Sequence, residues 1–599
     1  MPIKDFKGAF KMKKIIALLC CMLLCFTPML VTGCNLGTGE DESSVDLPQE
    51  QEGTTNVYVE LKSGGTGVQW LIDAGTRFSA LKENESYEDG KKGVTIIPKP
   101  VENPSIKNAE TSGSAIIDVM GQVNIESAAR EGRVVAIDDV LTNTNELRNG
   151  LAISPLDKIS EEQRSRYMYN GHYYGGPSCE YYPVVSYDRN LFDKYNMYFV
   201  RPEYHGEVDA FASEVLNMPF YFLTEETGNN DQMKSCGPDG EYGTDDDGLP
   251  SSLYELIALC ERLKGQGISP FNFTGGYKYY SNFLLSALYT SLQGYDGARN
   301  NYEFNGQSEI VVGYEDAQLF GLSGVRVPKT QFVDVTEATG YQTTMEVEKY
   351  YAEAFMALCI ERDWLGPSVY NGDSQKAAIS KFVFSDTGNA PKIAMHIDGS
   401  YWYNEATEGD NYFKDWAIKN NLTGFETRDV RVMSLPVNFK NSVVEGEGKE
   451  QTLLEMNYGM FVINSAIANN EGLVRASKEF LAFLYTDAEL SAYTANTSIL
   501  RSMNYSLSSS DVSKISKYGK LLIDSVSSGK SNVVYFTANN PTFKANTASF
   551  EQSWTNAVFS VDGIPSLYEG LTAHEKTVEG AFASQQLTAT LWKGMYKGN

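Results

Sequence analysis

Apolar and polar side chains alternate along Val57-Tyr58-Val59-Glu60-Leu61, the period of two expected of a half-buried strand. Ser63, Gly64, Gly65, Thr66 and Gly67 follow and turn the chain out of it. Val68, Leu71, Ile72, Gly75 and Phe78 then recur at helical spacing, and Val94-Thr95-Ile96-Ile97 reads as a second strand. This order of strand, loop, helix and strand favours an α/β architecture with a largely parallel sheet. Gly65-Thr66-Gly67 is a weak match to a dinucleotide fingerprint, because Trp70 stands at the third glycine position. Farther on, Ser252 and Glu255 have the spacing of a capping box. Behind them Leu253, Leu256, Ile257, Cys260 and Leu263 predict the buried face of a helix ending at Gly265 or Gly267. Residues 344–362 and 471–485 carry the same amphipathic period, and no internal repeat is evident.

Length adds a constraint: 599 residues suit two large lobes with additions, or three to four units of ordinary size. The first 33 residues read as an export signal. Lys4, Lys7, Lys11, Lys13 and Lys14 precede an apolar run from Ile15 to Val31 that is short for a membrane span. Met12 is a more usual start than Met1 for such a leader. Val31-Thr32-Gly33-Cys34 resembles a bacterial lipobox, in which Cys34 is acylated and becomes the first mature residue. Two or three acyl chains would hold the protein stably on the cell membrane, outside the cytoplasm. The remaining reading is a hydrophobic N-terminus with a chance cysteine. Residues 34–55 place Glu40, Asp41, Glu42, Asp46, Glu50 and Glu52 among Gly, Ser and Gln, the composition of a disordered tether.

Charge narrows the partners. The leader carries a net +4, so removing it takes the formal charge from −27 to −31, which argues against nucleic acid or anionic lipid as the ligand. Beyond Cys34 only Cys179, Cys236, Cys260 and Cys359 remain, with no CxxC pair, so neither a zinc site nor a disulfide framework is indicated. The chain holds 37 Tyr, many of them in runs. An aromatic face with a polar edge matches the C–H face and hydroxyl rim of a pyranose. In residues 237–248, Asp239, Glu241, Asp245, Asp246 and Asp247 crowd five carboxylates among glycines. A structural calcium ion would relieve that crowding; the alternative is an exposed acidic insertion.

Several ordered segments resemble the extracellular solute-binding proteins of carbohydrate ABC transporters (family 1, the group that includes maltose-binding protein). They are Asn170 to Pro177 followed by Tyr187 to Phe192, Ile117-Asp118-Val119 with Gly132 to Asp138, Leu249 to Pro270, Lys392 to Trp402, and Phe461 to Leu484. Ser251-Ser252-Leu253 departs from the Thr-Trp usual in the third of these. The resemblance implies a two-lobed, α/β, periplasmic-binding-protein type II fold (Venus-flytrap) with insertions. It implies a first lobe over 56–178 plus 437–504, a second over 179–436, and a C-terminal, mainly helical segment, 505–599, packing on both. Residues near 222–248, 287–345 and 505–599 are extra to the ordinary length.

By the same resemblance Gly65, Thr66, Trp70, Gln122 and Asn124 line the first lobe's side of a cleft. Glu180 and Tyr181 lie near the crossing, and Tyr279, Tyr280, Tyr401 and Trp402 line the second lobe's side. Trp402 is the foremost expectation for a sugar-stacking platform, against a ring packed beneath its loop; for Glu180 a structural salt bridge is the alternative. The implied role is a non-catalytic, monomeric receptor that delivers an oligosaccharide to ABC permease subunits. A surface-anchored glycoside hydrolase, or a binding protein serving sensing or adhesion, is the competing class. No GxSxG or HExxH motif is present, although a spaced carboxylate pair leaves no sequence signature.

Overall fold

Two sheets organise the chain, and their strands come in the order β1 (Thr55–Lys62), β2 (Val94–Val101), β3 (Ile116–Gly121), β4 (Gly176–Tyr181), β5 (Pro183–Asp188), β6 (Ser269–Asn272), β7 (Ile393–Gly399), β8 (Val430–Val432) and β9 (Asn457–Ile463). The computed structural model describes residues 46–62, 64–107, 113–121, 125–142, 154–277, 280–455, 457–527, 529–535, 571 and 577–595. The first sheet runs β2-β1-β3-β9-β4 and the second β6-β7-β5-β8. Within the first, β1 is parallel to β2 and β3, while β9 is antiparallel to β3 and β4. In the second, β6 and β7 are parallel, and β5 opposes β7 and β8. Both sheets belong to one compact unit, Asp46–Asn599.

Register shows how the sheets meet. Gly121 at the end of β3 pairs with Tyr458, and Asn457 pairs with Tyr181 at the end of β4, so Gly121 and Tyr181 lie at one edge of the first sheet, with the close of parallel β1. In the second sheet Gly399 pairs with Pro183, and β6 ends at the same edge because it is parallel to β7. The chain crosses from one edge to the other at Tyr182, whose backbone N–H reaches Ser400 Oγ at 3.3 Å and whose carbonyl accepts the Ser400 N–H at 2.8 Å. β4 therefore extends the first sheet beyond the expected boundary at 178. A second crossing, after β8 and before β9, is pinned by Glu455. Its carboxylate takes Arg166 Nη1 and Nη2 at 3.0 and 2.7 Å, with both side chains fully buried.

The helices follow from local sequence. α1 (Gln69–Leu81) buries Leu71, Ala74, Gly75 and Phe78. α2 (Leu253–Gly265) has the complete capping box of Ser252 and Glu255 and buries all five apolar residues that predicted it. α3 (Ser281–Glu303) kinks at Gly294, whose φ of 69° and ψ of 179° break the helix, a conformation glycine adopts without a Cβ penalty. α4 (Val347–Glu361), α5 (Gln375–Val383), α6 (Glu471–Leu484), α7 (Asp487–Thr497) and α8 (Lys517–Ser527) complete the set used below. The amphipathic segments expected at 344–362 and 471–485 thus become α4 and α6. A long hairpin, Gly306–Gln318 with Arg326–Val335, forms part of the extra material in 287–345. Cys34 and most of the tether lie outside the described residues, and among the described residues no helix is long and apolar enough to cross a membrane.

Candidate functional site

The loops that leave the two facing edges touch. Gly65, in the turn after β1, has φ +81°, a left-handed conformation that favours glycine. Its N–H donates to Glu405 Oε1 at 2.7 Å, and its carbonyl accepts from Asn404 Nδ2 at 2.8 Å. Asn404 and Glu405 lie just beyond the end of β7, where a short helix, Trp402–Asn404, continues into a π turn, Glu405–Gly409. The other carboxylate oxygen of Glu405 accepts Gln375 Nε2 at 2.8 Å from the start of α5. Both backbone polar groups of one residue in the first lobe are thereby clamped by two adjacent side chains of the second. A Cβ at Gly64 would come within 2.9 Å of Glu405 Oε1, so the close approach depends on glycine there too.

Aromatic rings line this contact. Tyr181 and Tyr401 meet edge to face with centroids 5.0 Å apart, a favourable aromatic geometry. A Cβ on Gly65 would lie 3.5 Å from the Tyr181 hydroxyl and 3.9 Å from the Tyr401 ring. Tyr280 lies close enough to the Tyr401 hydroxyl to help raise it. Two further tyrosines stand outward on the same edge. Thr274 Oγ1 and the Gly276 N–H both donate to the Asp373 carbonyl, at 2.6 and 2.8 Å, which lays the turn after β6 against residues 366–373. Tyr277 and Tyr370, on those two turns, are 53% and 45% exposed, unlike the enclosed Tyr181 and Tyr280.

The electrostatics are unusual for a surface cleft. Burial, and next the nearby charge of Asp398, push the Glu405 carboxyl up to about 8, against the opposing pull of the Gly65 N–H and Lys62. Asp398 is itself buried at the end of β7, with His396 Nε2 3.6 Å from its Oδ2. Burial also raises the Tyr401 hydroxyl, with Asp398 adding to it.

Of the residues expected at the cleft, Gly65, Thr66, Tyr181, Tyr280 and Tyr401 come together here, Thr66 through its place in the Gly65 turn. Gln122, Asn124 and Tyr279 lie outside the described residues. Three others are placed elsewhere. Trp70 points into the first lobe's core, edge to face with Tyr493 at 5.1 Å and beneath the Arg501 guanidinium at 4.9 Å. Trp402 is fully buried. Its Nε1 donates to Ser186 Oγ at 2.9 Å and to the Tyr518 hydroxyl at 3.0 Å, while Phe382, His396, Tyr403 and Phe413 surround its ring. A ring so enclosed has no face to offer a sugar, so the stacking expectation for Trp402 is corrected to a core role. Glu180 neighbours Tyr181 in β4, and adjacent strand residues face opposite ways. It accepts Gln163 Nε2 at 3.1 Å and the Tyr182 hydroxyl on the side away from Gly65.

Glu405, Asn404, Gln375, Tyr277 and Tyr370 were not singled out from sequence. The glycine pair Gly275-Gly276 directly before Tyr277 was the one local signal available for any of them.

The acidic loop closes on its own backbone. The Asp239 N–H donates to Asp246 Oδ2 at 3.1 Å, the Gly243 N–H to Asp247 Oδ2 at 2.8 Å, and Thr244 Oγ1 to Asp246 Oδ1 at 2.7 Å. Asp246 and Asp247 are buried, whereas Glu241 and Asp245 are exposed, Asp245 lying 3.2 Å from Arg431. Among the described residues no group of three or more His, Cys, Asp or Glu side chains is arranged to hold a metal ion. Burial, and then the charge of Asp239, push Asp246 up to about 7.

No family profile matches the sequence, and no curated protein matches it. Solved structures do. A chitin oligosaccharide binding protein superposes with a TM-score of 0.51 at 15% identity, covering 90% of this chain and 98% of its own. A structure described under xylan utilization by the thermophilic bacterium Caldanaerobius polysaccharolyticus does so with a TM-score of 0.51 at 13% identity, covering 89% and 99%. The fold is that of a two-lobed binding protein. The likeness spans nearly the whole length of both neighbours and about nine-tenths of this chain.

Proposed function

We propose that this chain is a non-catalytic receptor that encloses a carbohydrate, an oligosaccharide, between its two lobes and delivers it to the permease of an ABC importer, held at the membrane through Cys34. The observation that carries this reading is the Gly65 clamp: two backbone hydrogen bonds join the facing sheet edges at a place lined by Tyr181, Tyr280 and Tyr401. In open α/β sheets ligands bind at such strand ends. A cleft whose lips bond each other when shut gives a transporter a closed state to recognise. The sugar-binding neighbour supports the ligand class. Tyr277 and Tyr370, half-exposed on the same edge, extend the ring surface that sugar units beyond the clamp would meet.

Calorimetry against chito- and xylo-oligosaccharides tests the proposal. Binding without release of shorter products is expected, and turnover of any glycan would contradict it. Tyr277→Ala and Tyr370→Ala should each weaken binding by roughly 1 kcal/mol, in line with other aromatic contacts; unchanged affinity in both removes the outer platform.

Calcium at residues 237–248 is a separate proposal, supported by the crowding of Asp239 and Asp246 rather than by a formed cage. Without an ion, the raised Asp246 makes the folded state hold a proton that the unfolded chain releases near its ordinary value of 3.8. Stability from this group therefore falls as the pH climbs from about 4 through about 7. Calcium would offset that loss. At pH 7.5 a chelator should lower the melting temperature by a few degrees, and a melting temperature indifferent to chelation removes the metal.

A further inference from the structure

Behind the clamp, on the Glu180 side of β4, lies a cavity of about 670 Å³, a size typical of small-molecule sites. One wall belongs to the first lobe. The segment after α7 is fixed there by the Glu180 N–H donating to the Leu500 carbonyl at 3.1 Å, the Asn504 N–H to the Lys158 carbonyl at 2.7 Å, and Arg501 Nη1 to the Ser178 carbonyl at 2.9 Å. The facing wall is Val526 and Ser527 at the end of α8, with Tyr535 beyond it. α8 is tied to the second lobe, the Tyr518 hydroxyl lying 3.1 Å from Ser186 Oγ on β5 and Lys517 Nζ 2.6 Å from Asp429 Oδ2, and it also packs Ile523 in one cluster with Ala495 and Leu500 of the first. The chain crosses between the lobes at Tyr182, next to the cavity floor, where Glu180 takes the Tyr182 hydroxyl.

The charged groups around this space each have polar or aromatic partners within the protein. Lys158 Nζ holds Asp487 Oδ1 at 2.7 Å and the Tyr485 carbonyl at 2.9 Å. The Arg501 guanidinium lies over the Tyr493 ring at 3.8 Å, and Glu180 is served by Gln163 and Tyr182. The uncharged lining is hydroxyl, amide and ring: the hydroxyls of Ser160, Tyr505 and Ser527, already bonded to Gln163, Thr494 and the Ile523 carbonyl, keep a lone pair that can accept, and Asn504, Ser506 and Tyr535 stand with them. An ion entering such a lining would be desolvated without a countercharge. A neutral molecule rich in hydroxyls would exchange its water hydrogen bonds for protein ones and rest its apolar faces on the rings.

We propose that this cavity is a second binding site, for a small neutral polyhydroxylated molecule of one or two sugar rings, held between a wall carried by each lobe. The inference rests on the two-lobed fold and not on the nature of the ligand in the front cleft. A molecule seated there touches elements fixed to different lobes, so it favours the interlobe angle at which both walls reach it.

The probe is methyl β-D-glucopyranoside, followed by saturation-transfer NMR on the whole protein. Binding is expected in the wild type, and it should survive saturation of the front cleft with the oligosaccharide that calorimetry finds to bind most tightly, since the cavity is present with the lobes clamped together. It should weaken at least about tenfold, a loss easily resolved in a titration, in Ser160→Trp on the first-lobe wall and in Ser527→Trp on the second-lobe wall, each checked for a wild-type melting curve. Should one tryptophan variant fail to fold, Ser506→Trp or Tyr535→Ala replaces it on the corresponding wall. No probe binding to the wild type overturns the site, and so does displacement of the probe by the oligosaccharide that fills the front cleft. Loss from only one wall overturns the bridging arrangement. Absence of oligosaccharide binding in calorimetry would instead count against the proposed function and leave this result standing.

Discussion

Trp402→Ala should lower the stability of the fold by about 3–5 kcal/mol, the usual cost of emptying a large aromatic site in a core, while leaving the sugar affinity of the remaining folded protein unchanged. The indole fills the space between α5, the end of β7 and α8, with its Nε1 shared by Ser186 and Tyr518. Truncation leaves a cavity lined by Phe382, Phe413 and Tyr403 and removes the donor those two hydroxyls face. Trp402→Phe should recover part of the packing and none of the hydrogen bonding. Urea unfolding of the variants checks the first claim. A variant of undiminished stability that has lost sugar binding would reinstate Trp402 as a platform.

Glu405→Ala should weaken ligand binding about twofold to tenfold, because a hydrogen bond to an uncharged carboxyl contributes about 0.5–1.5 kcal/mol and the clamp forms only when the lobes meet. Glu405→Gln should weaken binding less, since its side-chain oxygen still accepts the Gly65 N–H. The two variants should also part in pH dependence. In the closed arrangement the carboxyl titrates at about 8, against an ordinary value of 4.5. The share of that rise that comes from burial under the Gly65 turn makes closure take up a proton. The contribution is fully present at low pH and is lost as the pH rises through about 8. Ligand affinity of the wild type should accordingly fall from pH 6 to pH 9, by at most about tenfold per unit for a single proton, and the Glu405→Gln profile should be flat over that range. Asp398, Lys62 and Asp410 face the same carboxyl, so substitutions there should move the profile and not abolish it. A wild-type affinity independent of pH would remove Glu405 from the closing contact.

What the sequence disclosed, and what it withheld, follows from the range of the interactions. α2 was legible to the residue because its start depends on Ser252 and Glu255, three positions apart, and its buried face on a short apolar period. β1 and β2 were legible for the same reason. The clamp was not, because Gly65 and Glu405 are 340 residues apart and no local pattern links them. Tyr401 and Trp402 differ by one position, yet only the backbone path after Gly399 decides that the tyrosine faces the cleft and the tryptophan the core. Glu180 and Tyr181 pose the same problem in a strand, where neighbours take opposite faces. Trp70 was misplaced because its helical position, one before Leu71, belongs to the buried stripe of α1. The order of segments along the chain still led to the two-lobed fold, since that order depends on topology and not on any single contact.

Closure around a carbohydrate is the central claim, and small-angle X-ray scattering of the free and sugar-saturated protein tests it most directly, using the oligosaccharide that calorimetry finds to bind most tightly. The account predicts a smaller radius of gyration on adding sugar to the wild type, with little or no contraction in Gly65→Val, whose side chain is incompatible with the φ of +81° at that position. A wild-type radius unmoved by saturating sugar, or a Gly65→Val protein that contracts as fully, would contradict it.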